Sequence, residues 1–280
     1  MENPEPLPAT EAVHPAWVGI DELATLDLLR LMNAEDRTVP LAVGAELEGI
    51  AVVVDAAAAR MAAGGRLIYV GAGTAGRLGV LDASECPPTF GTDPGLVVGL
   101  IAGGPSALTT AAEGAEDRPD LAEADLAALR PTPADTVVAV SASGWTPYAV
   151  AAVRAARAAG ALTVALACTR GSVLAQASEL AVEVVVGSEV LAGSSRLKAG
   201  TAQKLVLNLL STAVMIRLGR TYGNLMVDLR AAPPPAAPPH PNRSSSAATT
   251  SPRRGKSSST EARCSSAVSA AIASSTNTTS

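Results

Sequence analysis

Three kinds of residue in this chain could do chemistry, and each kind is gathered in a short stretch. The first is carboxylate. Glu85 lies in "DASECPPTFG", Asp82 to Gly91, beside Cys86 and the pair Pro87-Pro88. Glu113 and Glu116 lie in "AAEGAED". Two carboxylates in different environments can divide general acid and general base work, one protonated and one ionised. An isolated Glu is otherwise a solvated surface charge. That description fits Glu113 on a helix surface, but it fits Glu85 poorly, because the stretch around it is apolar and two prolines fix its backbone.

The second kind is the loop rich in glycine and hydroxyl groups. "GAGTAGRLG", Gly71 to Gly79, contains Gly71-x-Gly73-x-x-Gly76 and the hydroxyl of Thr74. Such glycines permit a tight turn, and the following helix offers free N–H groups to an anion. The same glycines could instead serve only close strand–helix packing. A dinucleotide site has this spacing, but no acidic residue clearly ends a second strand about twenty residues on. "SASGWTPY", Ser141 to Tyr148, brings Ser141, Ser143 and Thr146 to a similar junction, as phosphate ligands or as helix caps. Two such loops at one sheet edge point to a phosphomonoester site that includes Gly73 and Thr74. No GxxxxGK[ST] motif occurs, which argues against a nucleoside triphosphatase.

The third kind is cationic. Lys198 and Lys204 open the stretch "GSSRLKAGTAQKLVLNLLSTAVMIRLG", where either could reach a substrate anion or face solvent. Lys198 joins the expected binding set. Ala199, Gly200 and Ala202 permit close approach of a ligand or another helix. Cys86 reads as a buried inert thiol. The two histidines, His14 and His240, both lie outside the sheet region, which argues against a Ser-His-Asp triad or a zinc site.

These groups need elements to hold them. Four apolar runs read as buried parallel strands: 66–70, 96–101, 136–141 and 162–168, with a weaker fifth at 181–186. Helical stretches alternate with them at 105–114, 119–129, 146–159 and 195–219. Before them, 20–36 reads as an amphipathic helix pointed by Leu23, Leu26, Leu29 and Leu31 and capped by Asp21. A second helix starts at Thr38-Val39-Pro40 and stops at Gly64-Gly65. The alternation predicts an α/β fold: an open, mostly parallel five-stranded sheet sandwiched by helices, preceded by N-terminal helices. Ligands of such sheets bind beyond the carboxyl ends of the strands. The expected divisions are a flexible 1–15, a helical segment 16–64, a phosphate-binding domain 57–220 and a low-complexity, disordered tail 231–280.

Composition supports this outline. The chain has 280 residues, 48% hydrophobic but only 2% aromatic, so its core is built from Ala, Val and Leu. Three widely spaced cysteines predict a reducing cytoplasm rather than a disulfide framework. No signal peptide or membrane-spanning run is expected. The net charge is −5, and Arg243, Arg253, Arg254, Lys256 and Arg263 in the tail mask a more acidic remainder. An acidic body argues against nucleic acid as a partner. Residues 231–280 hold no Leu or aromatic residue and cannot offset the entropy of ordering.

Several longer segments carry a resemblance. "IDELATLDLLRLMNAEDRTVPLAV", "GRLIYVGAGTAGRLGVLDASECPPTFG", "VVGLIAGG", "EGAED", "GSSRLKAGTAQKLVLNLLSTAVMIRLG" and "YGNLMVDLRA" follow in that order. Over residues 10–231 they resemble the N-acetylmuramic acid 6-phosphate etherases of the sugar-isomerase (SIS) superfamily. The resemblance implies a homodimeric cytoplasmic enzyme without metal or organic cofactor, which releases D-lactate from its substrate. It implies Glu85 as the acid that protonates the leaving oxygen, with a pKa raised by burial. It implies Glu116 as the second catalytic carboxylate. The family usually has Ser at position 75 and Arg at position 145, where this chain has Ala75 and Trp145. The family also continues past "NLMVDLRA" into a small helical domain, and the different tail here reads as a frameshifted segment. The competing expectation is a non-catalytic sugar-phosphate-binding regulator of the same fold. A sugar-phosphate aldose–ketose isomerase would share fold and base but leave the "SECPPT" carboxylate without a task.

Overall fold

Alternate residues of a strand face opposite ways, and here both ways lead to a core. The computed structural model describes residues 9–227, so residues 1–8 and the expected disordered tail lie outside the described residues. Five parallel strands run β1 (Leu67–Gly71), β2 (Val97–Ile101), β3 (Thr136–Ser141), β4 (Leu162–Ala167) and β5 (Leu180–Glu183), in the spatial order β2-β1-β3-β4-β5. Leu67 and Tyr69 of β1 and Val138 and Val140 of β3 point into one cluster. Ile68, Val70 and Val137 point into the other.

Helices cover both faces. On the first lie α2 (Val39–Gly44), α3 (Leu47–Ala62), α4 (Gly73–Phe90) and α8 (Lys198–Arg217). On the second lie α5 (Pro119–Leu129), α6 (Pro147–Ala158) and the short α7 (Val173–Ala177). This is the α/β sandwich that the alternating pattern predicts. The chain leaves β1 toward β2 and then returns to β3 on the other side of β1, so a crevice opens beyond the carboxyl ends of β1 and β3.

Packing around β1 is close. A Cβ on Gly76 of α4 would lie 2.6 Å from the Gly71 carbonyl oxygen and 2.7 Å from Ile101. The glycine spacing therefore serves strand–helix contact at Gly76. The two fully buried tyrosines both have partners for their hydroxyls, Tyr69 donating to Asp82 at 2.9 Å and Tyr148 to Asp125 at 2.7 Å. Asp82 also accepts from Asn208 Nδ2 at 2.6 Å and Ser211 Oγ at 3.1 Å. One buried carboxylate thereby ties β1, α4 and α8 together.

Several expectations need correction. The helix expected over 20–36 is a single 3-10 turn, Ile20–Glu22, followed by α1 (Thr25–Asp36). Ala24, not Asp21, precedes α1. Leu23, Leu26 and Leu29 are exposed, and no residue of α1 is buried. The second helix is broken between α2 and α3 at Ala45-Glu46, just after Gly44, a poor helix former. The stretch 105–114 forms only a 3-10 turn, Pro105–Leu108, before Thr109-Thr110. The N-terminal segment is not free throughout: Ala9–Glu11 is a 3-10 turn and Thr10 is fully buried. By length and composition α8 could cross a membrane, contrary to expectation, but its apolar side packs into the first core cluster.

The Asp82 node generates a prediction about stability. Desolvation raises the Asp82 pKa, against the hydrogen bonds from Asn208, Tyr69 and Ser211. With the folded value above 3.8, the folded state holds the proton longer, so this group's contribution to stability declines as pH rises through that window. Asp82→Ala should cost about 3 kcal/mol, since the buried Tyr69 and Ser211 and the half-buried Asn208 lose their acceptor. Asp82→Asn should cost less and flatten the decline. Denaturant titrations from acid to neutral pH check both; an unchanged midpoint in Asp82→Ala would contradict the node.

Candidate functional site

The turn after β1 is shaped by Gly73, whose φ of +53° favours glycine. A Cβ there would meet nothing within 4 Å, so backbone conformation rather than packing calls for the glycine. Gly73 and Thr74 begin α4 without a side-chain cap, leaving first-turn N–H groups toward the crevice. After β3, Ser141 Oγ lies 2.8 Å from Thr146 Oγ1 and accepts from the Gly144 N–H at 3.0 Å. Ser143 Oγ accepts from the Trp145 N–H at 3.2 Å. Thr146 precedes α6 without capping it through its side chain, so the start of α6 is also uncapped. Two helix N-termini thus face one hydroxyl-lined space, an arrangement suited to an anion.

The space is a cavity of about 570 Å³. Gly73, Thr74, Ser141, Ser143, Thr146 and Glu116 line it, which brings six of the eight expected site residues together. Ala75 and Trp145, the two departures from the family pattern, line it as well. Glu116 sits on the 3-10 turn Ala115–Asp117, held by Gly114 in the left-handed region and by Ala115 packed into the second core cluster.

Two expected residues are elsewhere. Lys198 is 3% exposed, and its Nζ donates to Glu35 Oε2 at 2.8 Å and lies 5.2 Å from the Trp17 ring centroid. It pins the head of α8 to α1 and does not line the cavity. Glu85 is exposed on α4 beside exposed Leu81, and it does not line the cavity either. Twelve residues of helix separate it from Gly73, about 18 Å at 1.5 Å per residue. The expected burial of Glu85 is absent in a single copy. Pro87 and Pro88 lie in the last turns of α4, which ends at Phe90 with Gly91 in the left-handed region. They lie within the helix rather than bracing a loop. Burial pushes the neighbouring Cys86 thiol up to about 12, with Asp82 and Glu85 adding to the shift, which leaves it inert.

Other lining residues are Glu11, Arg77, Asp117, Ser195 and Gln203, none singled out in the sequence for this role. Arg77 was in plain view inside "GAGTAGRLG", one turn after Gly73. Gln203 shares a face of α8 with Gly200, which approaches Thr74: a Cβ on Gly200 would lie 3.3 Å from Thr74 Cγ2. Gln203 is 1% exposed, and its Nε2 has no hydrogen-bond partner among the described residues. A buried amide without a partner is costly to the fold and available to a ligand. The head of α8 is set by Glu189, 1% exposed, whose carboxylate accepts from the Lys198 and Ala199 N–H groups at 2.9 Å each.

Comparison with known proteins follows the same lines. The family model of the glucokinase regulatory protein N-terminal SIS domain matches residues 49–157, and that of the SIS domain matches 117–213. A Streptomyces coelicolor protein named N-acetylmuramic acid 6-phosphate etherase is 70% identical over 223 residues, 80% of this chain and 72% of the relative. A Streptomyces avermitilis protein of the same name is 67% identical with the same coverage. Among solved structures, a phosphoheptose isomerase from Francisella tularensis superposes with a TM-score of 0.57 at 18% identity, over 69% of this chain and all of that one, a likeness of fold.

Gln203→Leu tests the unpaired amide. Stability should hold or rise by up to about 1 kcal/mol, while sugar-phosphate binding measured by calorimetry weakens about 2- to 10-fold. Lost stability with unchanged binding would assign the amide to the fold instead.

Proposed function

The chain belongs to the N-acetylmuramic acid 6-phosphate etherase family, and we propose that its cavity works with Glu116 of one copy and Glu85 of a second. The enzyme cleaves the D-lactyl ether of N-acetylmuramic acid 6-phosphate with water, giving N-acetylglucosamine 6-phosphate and D-lactate. The observation that carries the site assignment is Glu116 lining the same cavity as both hydroxyl-bearing loops. The substrate's phosphate is assigned to Thr74, Ser141, Ser143, Thr146 and the open head of α6.

The chemistry follows from the substrate. When the sugar ring opens, C1 becomes an aldehyde and the proton on C2 becomes acidic. Glu116, ionised, removes that proton. An ether oxygen leaves poorly unless protonated, and Glu85 supplies the proton as the C3–O bond breaks. The unsaturated aldehyde then takes water at C3, and C2 is protonated again.

A protonated Glu85 near neutral pH requires desolvation, which its exposed position in one copy does not provide. A second copy covering this surface supplies both the burial and the approach to a cavity. Exposed Leu81 beside Glu85 and exposed Leu23, Leu26 and Leu29 on and before α1 support such a homodimer. The phosphorylated substrate supports a cytoplasmic location.

Purified protein should release D-lactate from N-acetylmuramic acid 6-phosphate in a coupled assay. Glu116→Gln and Glu85→Gln should each lower kcat about 100- to 10,000-fold. In D2O, Glu85→Gln should still exchange the C2 proton, and Glu116→Gln should not. Full activity in both variants would remove the two-carboxylate mechanism.

A further inference from the structure

A second, smaller cavity of about 150 Å³ adjoins the main one, with Gly73, Arg77 and Glu116 lining both. The rest of its wall is mostly alanine methyl groups, including Ala102, Ala107 and Ala112. A three-carbon acid fits within a chamber of this size. Arg77 is the one cation lining either cavity among the described residues. Its Nε donates to the Leu108 carbonyl at 3.1 Å, and its terminal nitrogens make no hydrogen bond to the described residues.

We propose that this chamber is the lactyl subsite, with Arg77 binding the lactyl carboxylate and the alanine wall receiving its methyl group. The inference rests on the etherase reading of the main cavity. In the substrate, C3 carries the lactyl ether and lies beside C2, whereas the phosphate is on C6. A base acting at C2 therefore faces the lactyl group, and Glu116 borders the small chamber. The hydroxyl-rich loop after β3 lines only the main cavity, which leaves the phosphate there and Arg77 to the second anion. Glu113 and Glu116 also line the chamber, so an entering carboxylate would be repelled without the guanidinium.

The test compares ligands that differ only in this group. Arg77→Gln should lower kcat/KM for N-acetylmuramic acid 6-phosphate about 10- to 100-fold. Its activity on the lactyl carboxamide analogue, and its Kd for N-acetylglucosamine 6-phosphate, should stay near wild type. Arg77→Lys should recover part of the preference for acid over amide, which a purely structural arginine would not show. Equal loss toward all three ligands would place Arg77 at the phosphate or in the fold, and no loss toward any would empty the subsite; either overturns the proposal. Absence of lactate release by wild-type protein would instead defeat the etherase reading. Calorimetric Kd values for the same ligands on the Glu116→Gln background still decide the role of Arg77.

Discussion

The carboxylate of Asp82, buried between three elements, is the constraint on which the site geometry depends. It accepts hydrogen bonds from Tyr69 of β1 and from Asn208 and Ser211 of α8, and it belongs to α4 itself. Helix α4 carries Gly73, Thr74 and Arg77 at its head, and α8 carries Gly200 and Gln203 near its own. A shift of either helix against β1 would move one wall of the cavity against the other. Each end of the system has its own lock. Glu189 holds the head of α8 through two backbone N–H groups, and the Lys198–Glu35 pair ties that head to α1. Buried polar groups of this kind are costly unless satisfied, so a satisfied set specifies one arrangement.

Small residues make this arrangement possible. With so few aromatic side chains, the sheet and helices meet through glycine and alanine, and Gly76 lets α4 approach the end of β1 as closely as backbone allows. Close approach brings the α4 N-terminus to the sheet edge, beside the loop after β3. The result is a crevice lined by backbone N–H groups and hydroxyls, an arrangement suited to an anion, with Arg77 the single cation on its wall among the described residues. The proposed mechanism needs two carboxylates with opposite starting charge, and the fold positions the two candidates differently. Glu116 comes from a turn at the cavity wall. Glu85 comes from far along α4, on a surface that one copy leaves open to water.

Much of this was legible in the amino-acid sequence, for identifiable reasons. The runs 66–70, 96–101, 136–141 and 162–168 are continuous and apolar because both faces of a parallel strand are buried, so strand positions and the loops that follow them could be read directly. The hydroxyl loops followed from that placement. Glu85 and Lys198 were harder. Closeness in sequence to the glycine loop suggested closeness in space, but α4 is continuous through Pro87 and Pro88 and carries Glu85 away from its own head. Lys198 is aimed at Glu35, 163 residues earlier, a pairing that local pattern does not contain. The leucines of α1 look like a core-facing stripe, and periodicity cannot distinguish a stripe facing the chain's own core from one facing a second copy. Arg77 and Gln203 carried no motif of their own; only the cavity wall identified them.

The central claim is that each site takes Glu116 from one copy and Glu85 from another, and mixing inactive subunits tests it most directly. Glu85→Gln and Glu116→Gln proteins, each inactive alone, are denatured together and refolded at equal ratio, or coexpressed, and lactate release is measured. In a mixed dimer, one of the two sites would receive an intact Glu116 and an intact Glu85 from opposite subunits. Random mixing then predicts recovery of roughly a quarter of wild-type activity per subunit, half the dimers being mixed in a C2 assembly. Mixed dimers that form, verified by differential tagging, yet show no activity above the parent variants would contradict the account and place both carboxylates in the service of a single copy.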